Sequence, residues 1–170
     1  MMPKVKEENF FITDEFKQVL SPIDFADTFS TTNEQDNIEQ VTNLIFRKTP
    51  KWIDSLLLLR NMIMSLFNLK TVQPDDYNEK FVEGGYIRFF RIFSVSDSMV
   101  ILGLDDKHLD FRVVIRNDRS TSYNIKVTTL VKYNKKIGQL YMTVIKPFHK
   151  IIVKSMVRNA HRVNKVNTEN

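Results

Sequence analysis

The strongest constraint on the fold is a change of period at Asn134. Before it, Tyr123, Ile125, Val127, Thr129, Val131 and Tyr133 alternate with Asn124, Lys126, Thr128 and Lys132. That is the period of a strand with one buried face. After it, Ile137, Leu140, Tyr141, Val144, Ile145, Phe148, Ile151, Ile152 and Met156 follow helical spacing, which keeps one apolar face over about five turns. A strand that runs into a long amphipathic helix has two apolar faces to cover. The simplest solution lays the helix on the sheet. Asn134 is a suitable N-cap. Pro147 removes one backbone hydrogen bond, which predicts a kink near residues 143–147.

Further strands precede this one. Tyr86 to Val95 is apolar on both faces, as in a central strand. Met99 to Leu104 follows the Ser96-Asp97 turn. Leu109, Phe111, Val113 and Ile115 then alternate with Asp110, Arg112 and Arg116 after a turn over 105–108, and Asn117 to Ser122 forms a loop. Consecutive strands joined by short turns imply an antiparallel meander. Asp24 to Thr31 reads as a short first strand. Ile38, Val41, Leu44 and Ile45 place a helix over residues 34–47. Thr49 and Pro50 end that helix and open a second. The second runs to about Leu69 on a stripe of Ile53, Leu56, Leu57, Ile63, Met64 and Phe67. A core stripe explains these residues better than an adaptable ligand channel built on Met62 and Met64. Residues 71–85 form a long polar connection, suited either to covering a site or to spacing.

The expected fold class is therefore α+β. A curved antiparallel sheet packs on a long C-terminal helix, with two helices between the first strand and the rest of the sheet. Residues 13–161 would form one domain, with flexible ends at 1–12 and 162–170. With 170 residues the chain buries enough surface for a core. It has no cysteine, which excludes a disulfide scaffold, a thiolate metal site and a cysteine nucleophile. The N-terminus has no secretory core, and the apolar run over 53–69 is broken by Asp54, Arg60 and Asn61. A cytoplasmic location is the expectation.

Charge is divided along the chain. Residues 1–85 carry nine Lys/Arg and fourteen Asp/Glu, a net of −5, whereas residues 86–170 carry sixteen and six, a net of +10. Either the basic half meets an anionic partner or the two halves pair with each other, and the second reading is the simpler.

Three stretches carry a resemblance: Pro50-Lys-Trp-Ile-Asp-Ser-Leu-Leu-Leu-Leu-Arg60, Gly103-Leu-Asp-Asp-Lys-His-Leu-Asp-Phe-Arg112 and Gly138-Gln-Leu-Tyr-Met-Thr-Val-Ile-Lys-Pro-Phe-His-Lys150. Over about residues 20–160 the chain resembles an uncharacterised bacterial family of domains of unknown function. That family is similar to the helix-grip superfamily of START and birch-pollen-allergen proteins. The resemblance implies a sheet gripping a C-terminal helix with a cavity between them, and it implies no established activity. The superfamily usually has six or seven strands; five are legible here.

Candidate chemistry is sparse. Asp105, Asp106, His108 and Asp110 are the densest titratable cluster, suited to acid–base work or to a divalent metal, but aspartates also favour turns for local hydrogen-bonding reasons. Arg88 and Arg91 fall on opposite faces of the most apolar strand, so one of them can anchor a ligand carboxylate or phosphate. The alternative is pairing with a local acid or snorkelling at the rim. His149, about 100° round the helix from Phe148, reads as a half-buried histidine or a base at a cavity mouth. No Gly-rich phosphate loop, zinc-protease motif or serine elbow is present. Lys146, Lys150, Lys154, Arg158 and Arg162 recur every four residues, a row that winds around the helix rather than forming one flat stripe.

The expected function is binding of a small hydrophobic or amphipathic ligand between sheet and last helix, without a cofactor or metal. The expected ligand-binding residues are Arg88, Arg91, Phe111, Val144, Phe148 and Ile152. Two alternatives stand beside it. One is an enzyme using Asp105, Asp106, His108 or His149. The other is a module that docks on an anionic membrane surface through the last helix; nucleic acid is a poorer partner, because no aromatics interleave with the basic residues after Phe148.

Overall fold

The computed structural model describes residues 3–47 and 75–164. In chain order its elements are β1 (Lys6–Glu8), α1 (Asp14–Val19), β2 (Phe25–Thr31), α2 (Ile38–Arg47), β3 (Tyr86–Ile87), β4 (Phe90–Val95), β5 (Met99–Asp105), β6 (Leu109–Asn117), β7 (Ile125–Tyr133) and α3 (Lys136–Arg158). The second expected helix, over 49–69, lies outside the described residues. The strands form one sheet in the order β1-β2-β7-β6-β5-β4-β3, with every neighbouring pair antiparallel. The fold is α+β, a seven-stranded antiparallel sheet with the long C-terminal helix packed on it.

Alternation decides what each face of the sheet buries. On the inner face Phe29, Ile92, Val100, Leu102, Val113, Ile115, Ile125 and Val127 form one core with Val41 and Ile45 of α2 and Val157 of α3. Each fully buried side chain of this size contributes roughly 1.5–3 kcal/mol. The outer face is only partly wet. Leu20, Val114 and Leu130 are buried there beneath Phe16 and Val19, with Ile23 and Ala26 beside them. α1 thus covers the side that the β6 pattern assigns to solvent. Its Thr13 N-cap accepts from Phe16 N, the arrangement that hydroxyl residues favour at helix starts.

Three boundaries differ from the sequence reading. Tyr86 to Val95 is two strands, not one. It is folded into a hairpin at Arg88 and Phe89, with Tyr86 opposite Arg91 and Ile87 opposite Phe90. Arg88 takes φ of 56°, and a turn made without Gly, Asn or Asp has no sequence signature. Residues 1–12 contain β1, whose Lys6, Glu7 and Glu8 pair with Ser30, Phe29 and Thr28. At the other end, Arg162 bridges Asn33 in parallel register and pairs with Asp36 at 3.0 Å, so the chain is anchored at least to Asn164, whose N–H donates to Glu34.

Asn33 organises that anchor. Its N–H donates to Asn124 Oδ1, its Nδ2 to Ala160 O and Asp36 Oδ2, and its Oδ1 accepts from Gln35 N and Asp36 N. Asn124 Nδ2 returns a bond to Asn33 O. His161, next along, lies 3.3 Å from Thr31 Oγ1. Burial, reinforced by Lys4 and Arg158, holds its imidazole below the ordinary histidine range. A histidine with a lowered folded pKa favours the fold when neutral. The contribution is complete above the unfolded value near 6.5 and is lost as pH falls below it. Urea titrations should show stability declining from pH 7 toward pH 5, with a shallower decline in His161→Gln; identical slopes would remove His161 as a cause.

The charge asymmetry is resolved in part inside the molecule. Glu7 pairs with Lys150, Glu8 with Lys126, Glu15 with Arg116, Asp36 with Arg162 and Asp76 with Arg91. Each of these joins an acid of the first half to a base of the second.

Candidate functional site

Between the inner face of the sheet and α3 lies a cavity of about 200 Å³. Its sheet-side wall includes Phe90, Leu104, Leu109, Phe111, Val113, Val127, Thr129 and Val131, and its α3 wall is Tyr141, Met142, Ile145, His149, Ile152, Val153 and Met156. Ile45 and Phe46 of α2 also reach it, with Arg88, Phe89 and Asp106. The register explains the sheet wall. Phe111 opposes Val131, Val113 opposes Thr129 and Ile115 opposes Val127, so alternate residues of β6 and β7 point the same way. Aromatic rings close part of the boundary: Phe90 packs edge-on against Phe46 at 5.0 Å and against Phe111 at 5.5 Å.

His149, which lines this largely apolar cavity, is paired with a buried acid. Asp27, opposite Thr129 on β2, shares the inner face with Phe25 and Phe29 and is only 6% exposed. Its Oδ1 lies 3.4 Å from His149 Nε2. Oδ2 lies 3.2 Å from the same nitrogen, close enough for an ion pair but without a hydrogen bond among the described residues. Phe25 meets the imidazole edge-on at 5.8 Å, which limits ring rotation. A carboxylate set against one ring nitrogen orients the imidazole, leaving the other nitrogen for a ligand. A buried charge of this kind is costly unless it is paired, so His149 and Asp27 depend on each other.

The other expected site residues separate into three groups. Arg88, Phe111 and Ile152 line the cavity, and so does Asp106. Val144 and Phe148 do not. They are 55% and 48% exposed, and this corrects the expectation that they wall the cavity. Apolar residues cover more than half the circumference of α3, so its apolar pattern alone does not locate the inward line. Arg91 also points away from the cavity, toward Asp76 at 3.9 Å, since its β4 neighbours Phe90 and Ile92 take the core face; of the two arginines, Arg88 is the one that lines the cavity.

Asp105, Asp106, His108 and Asp110 mainly build the β5–β6 turn and the seat of α3. Asp105 pairs with Arg112 at 2.6 Å on the outer face, where the guanidinium lies 3.7 Å over the Phe93 ring. Gly103 makes this possible, since a Cβ there would meet Arg112 Cδ at 2.8 Å. Asp106 Oδ1 accepts from His108 N, and Asp110 Oδ1 accepts from Asp106 N. Asn134, expected as the N-cap of α3, instead donates from Nδ2 to Asp106 O and Asp110 Oδ1. The N-cap is Lys135, with no side-chain cap bond. His108 O receives the N–H groups of Asn134 and Lys135. Among the described residues no three His, Asp or Glu side chains converge as a metal ion would require.

Asp27 was absent from the candidates read from sequence. Its signal is nevertheless present: an acid between Phe25 and Phe29 on the apolar face of a strand, where a charge is rare unless paired.

The comparisons with known proteins bear on the whole of this architecture. A family described as a protein of unknown function, DUF2867, matches residues 19–156. The chain belongs to the DUF2867 family. The match runs from the end of α1 almost to the end of α3 and so includes every cavity-lining residue named above. No curated protein and no solved structure matches this DUF2867 chain. None of its described helices is long and apolar enough to cross a membrane.

Proposed function

We propose that this DUF2867 chain binds a small amphipathic molecule in the cavity beneath α3, with the apolar part against Phe90, Phe111, Ile152 and Met156 and one polar group at His149. The observation that carries this reading is His149, held by the buried Asp27, on the α3 side of a largely apolar wall. Largely apolar pockets with a few placed polar groups are the usual form of small-ligand sites. The resemblance to the helix-grip superfamily is consistent with the same reading, because a sheet, a C-terminal helix and an intervening cavity are the parts that superfamily uses. The size limits the ligand class. An apolar cavity of about 150 Å³ accommodates benzene, so about 200 Å³ suits a single ring or a short chain with one polar substituent.

p-Cresol has these features and serves as a probe. Calorimetric titration should give saturable one-to-one binding. Ile152→Trp, which fills the cavity, should weaken it at least tenfold, or about 1.4 kcal/mol. Phe148→Asp, on the outer side of α3, should leave it unchanged. Equal affinity in Ile152→Trp and the unmodified protein would refute the site.

A second reading, acid–base chemistry on the ligand, is favoured by the same pair. A carboxylate-oriented histidine facing an apolar cavity can take a proton from a bound hydroxyl or an activated C–H group. Native mass spectrometry separates the two readings. A molecule carried by His149→Gln but released in altered form by the unmodified protein indicates turnover, whereas the same molecule bound to both indicates binding alone.

A further inference from the structure

α3 has a second apolar line, and it faces outward. Leu140, Val144, Phe148 and Ile151 are 59%, 55%, 48% and 59% exposed. At about 100° and 1.5 Å per residue they share a stripe roughly 80° wide and 16 Å long. The inward residues Tyr141, Met142, Ile145, His149 and Ile152 lie on one side of it. On the other side come the cations. Lys136, Lys154 and Arg158 fall along its border, and Lys146 and Lys150 lie further round.

All five charged residues of α3 are basic. Lys146 and Lys150 are engaged by the protein, over the Phe25 ring and with Glu7. Lys154 and Arg158 are exposed and make no ion pair among the described residues. Exposed large apolar side chains aligned over three turns are uncommon on a soluble surface. Aligned beside a row of unopposed cations, they match the interfacial helix, whose apolar stripe enters the headgroup boundary while Lys and Arg meet anionic lipid.

We infer that the outer side of α3 is a docking face for an anionic membrane surface, with Val144, Phe148 and Ile151 entering the lipid and Lys154 and Arg158 meeting its headgroups. The charge selects this occupant. A second copy would place the same basic border against itself across a two-fold axis, whereas an anionic bilayer complements it. This face is separate from the proposed ligand site, so either can fail without the other.

The test uses the full chain and sedimentation with large vesicles of phosphatidylcholine, either pure or with one half phosphatidylglycerol. Binding is expected to the anionic vesicles, at least tenfold tighter than to the neutral ones. Raising the salt should weaken it. Phe148→Asp and Ile151→Asp should each reduce it at least tenfold with unchanged melting temperature, since both side chains are exposed. If either variant melts early, Val144→Asp supplies the same comparison. The double variant K154E/R158E should remove the preference for anionic lipid. Binding to neither vesicle, equal binding to both, or binding unaffected by the aspartate variants would overturn the proposal. So would a dimer in sedimentation velocity that Phe148→Asp dissociates, or a fluorescent RNA oligonucleotide that displaces the protein from vesicles at equimolar phosphate.

Discussion

Asn33→Ala is expected to lower the unfolding free energy by about 3–4 kcal/mol, because several buried groups lose their partner at once. Asn33 is 2% exposed. Its side chain holds Ala160 O, Asp36 Oδ2 and the N–H groups of Gln35 and Asp36. Alanine leaves the Ala160 carbonyl buried without that donor and releases the turn that leads into α2. A typical intramolecular hydrogen bond contributes about 1 kcal/mol net, and a buried group left without a partner costs about 1–3 kcal/mol. Asn33→Asp is a useful companion. It keeps the acceptor for Gln35 and Asp36 but loses the donor to Ala160 and faces the Asp36 carboxylate. It should be at least as destabilising as alanine. Chemical denaturation monitored by far-ultraviolet circular dichroism measures both. A loss under 1 kcal/mol for Asn33→Ala would mean that the anchor between the end of α3 and the β2–α2 turn has little energetic role.

Gly138→Val should cost about 3 kcal/mol, near the upper end of overpacking changes. Gly138 is buried in the first turn of α3, and a Cβ there would lie 2.2 Å from His108 O and 3.0 Å from its carbonyl carbon. That obstruction is backbone. It accepts the Asn134 and Lys135 N–H groups, so it cannot rotate away as a side chain would. Valine can fit only if α3 lifts from the β5–β6 turn. Gly138→Ala sets two effects against each other. Alanine in a helix is intrinsically better than glycine by about 1 kcal/mol, so steric conflict and helix propensity oppose each other at this position. A net destabilisation in Gly138→Ala shows that the close approach dominates; a stabilised variant would show that α3 is free to shift. Since α3 forms one wall of the cavity, Gly138→Val should also weaken p-cresol binding.

The parts of this fold legible in the sequence are those set by strict periodicity. β6, β7 and α3 each have long, regular patterns, and the turns between β4, β5 and β6 contain aspartate or serine at the expected places. β1 was invisible because three residues of mixed charge carry no alternation; their pairing with Ser30, Phe29 and Thr28 is a tertiary effect. The β3–β4 hairpin was hidden because Arg88 adopts a left-handed conformation that glycine usually supplies. The cavity was legible as a consequence of strand-then-helix patterning, but its helix wall was misread by about a third of a turn. α3 is apolar both toward the sheet and along its exposed stripe, and no periodicity distinguishes the two. What does distinguish them is His149. It is a polar residue of the inward line that meets an acid of the facing strand, so Asp27 and His149 mark the inner side.

The central claim is that small amphipathic molecules bind on the inner side of α3. Methyl chemical shifts recorded during a p-cresol titration test it most directly. Saturable shifts should appear at Met142, Ile145, Ile152, Val153 and Met156, with Leu140, Val144 and Ile151 unmoved, and they should vanish in Ile152→Trp. Shifts confined to Leu140, Val144 and Ile151, or none at saturating p-cresol, would contradict it.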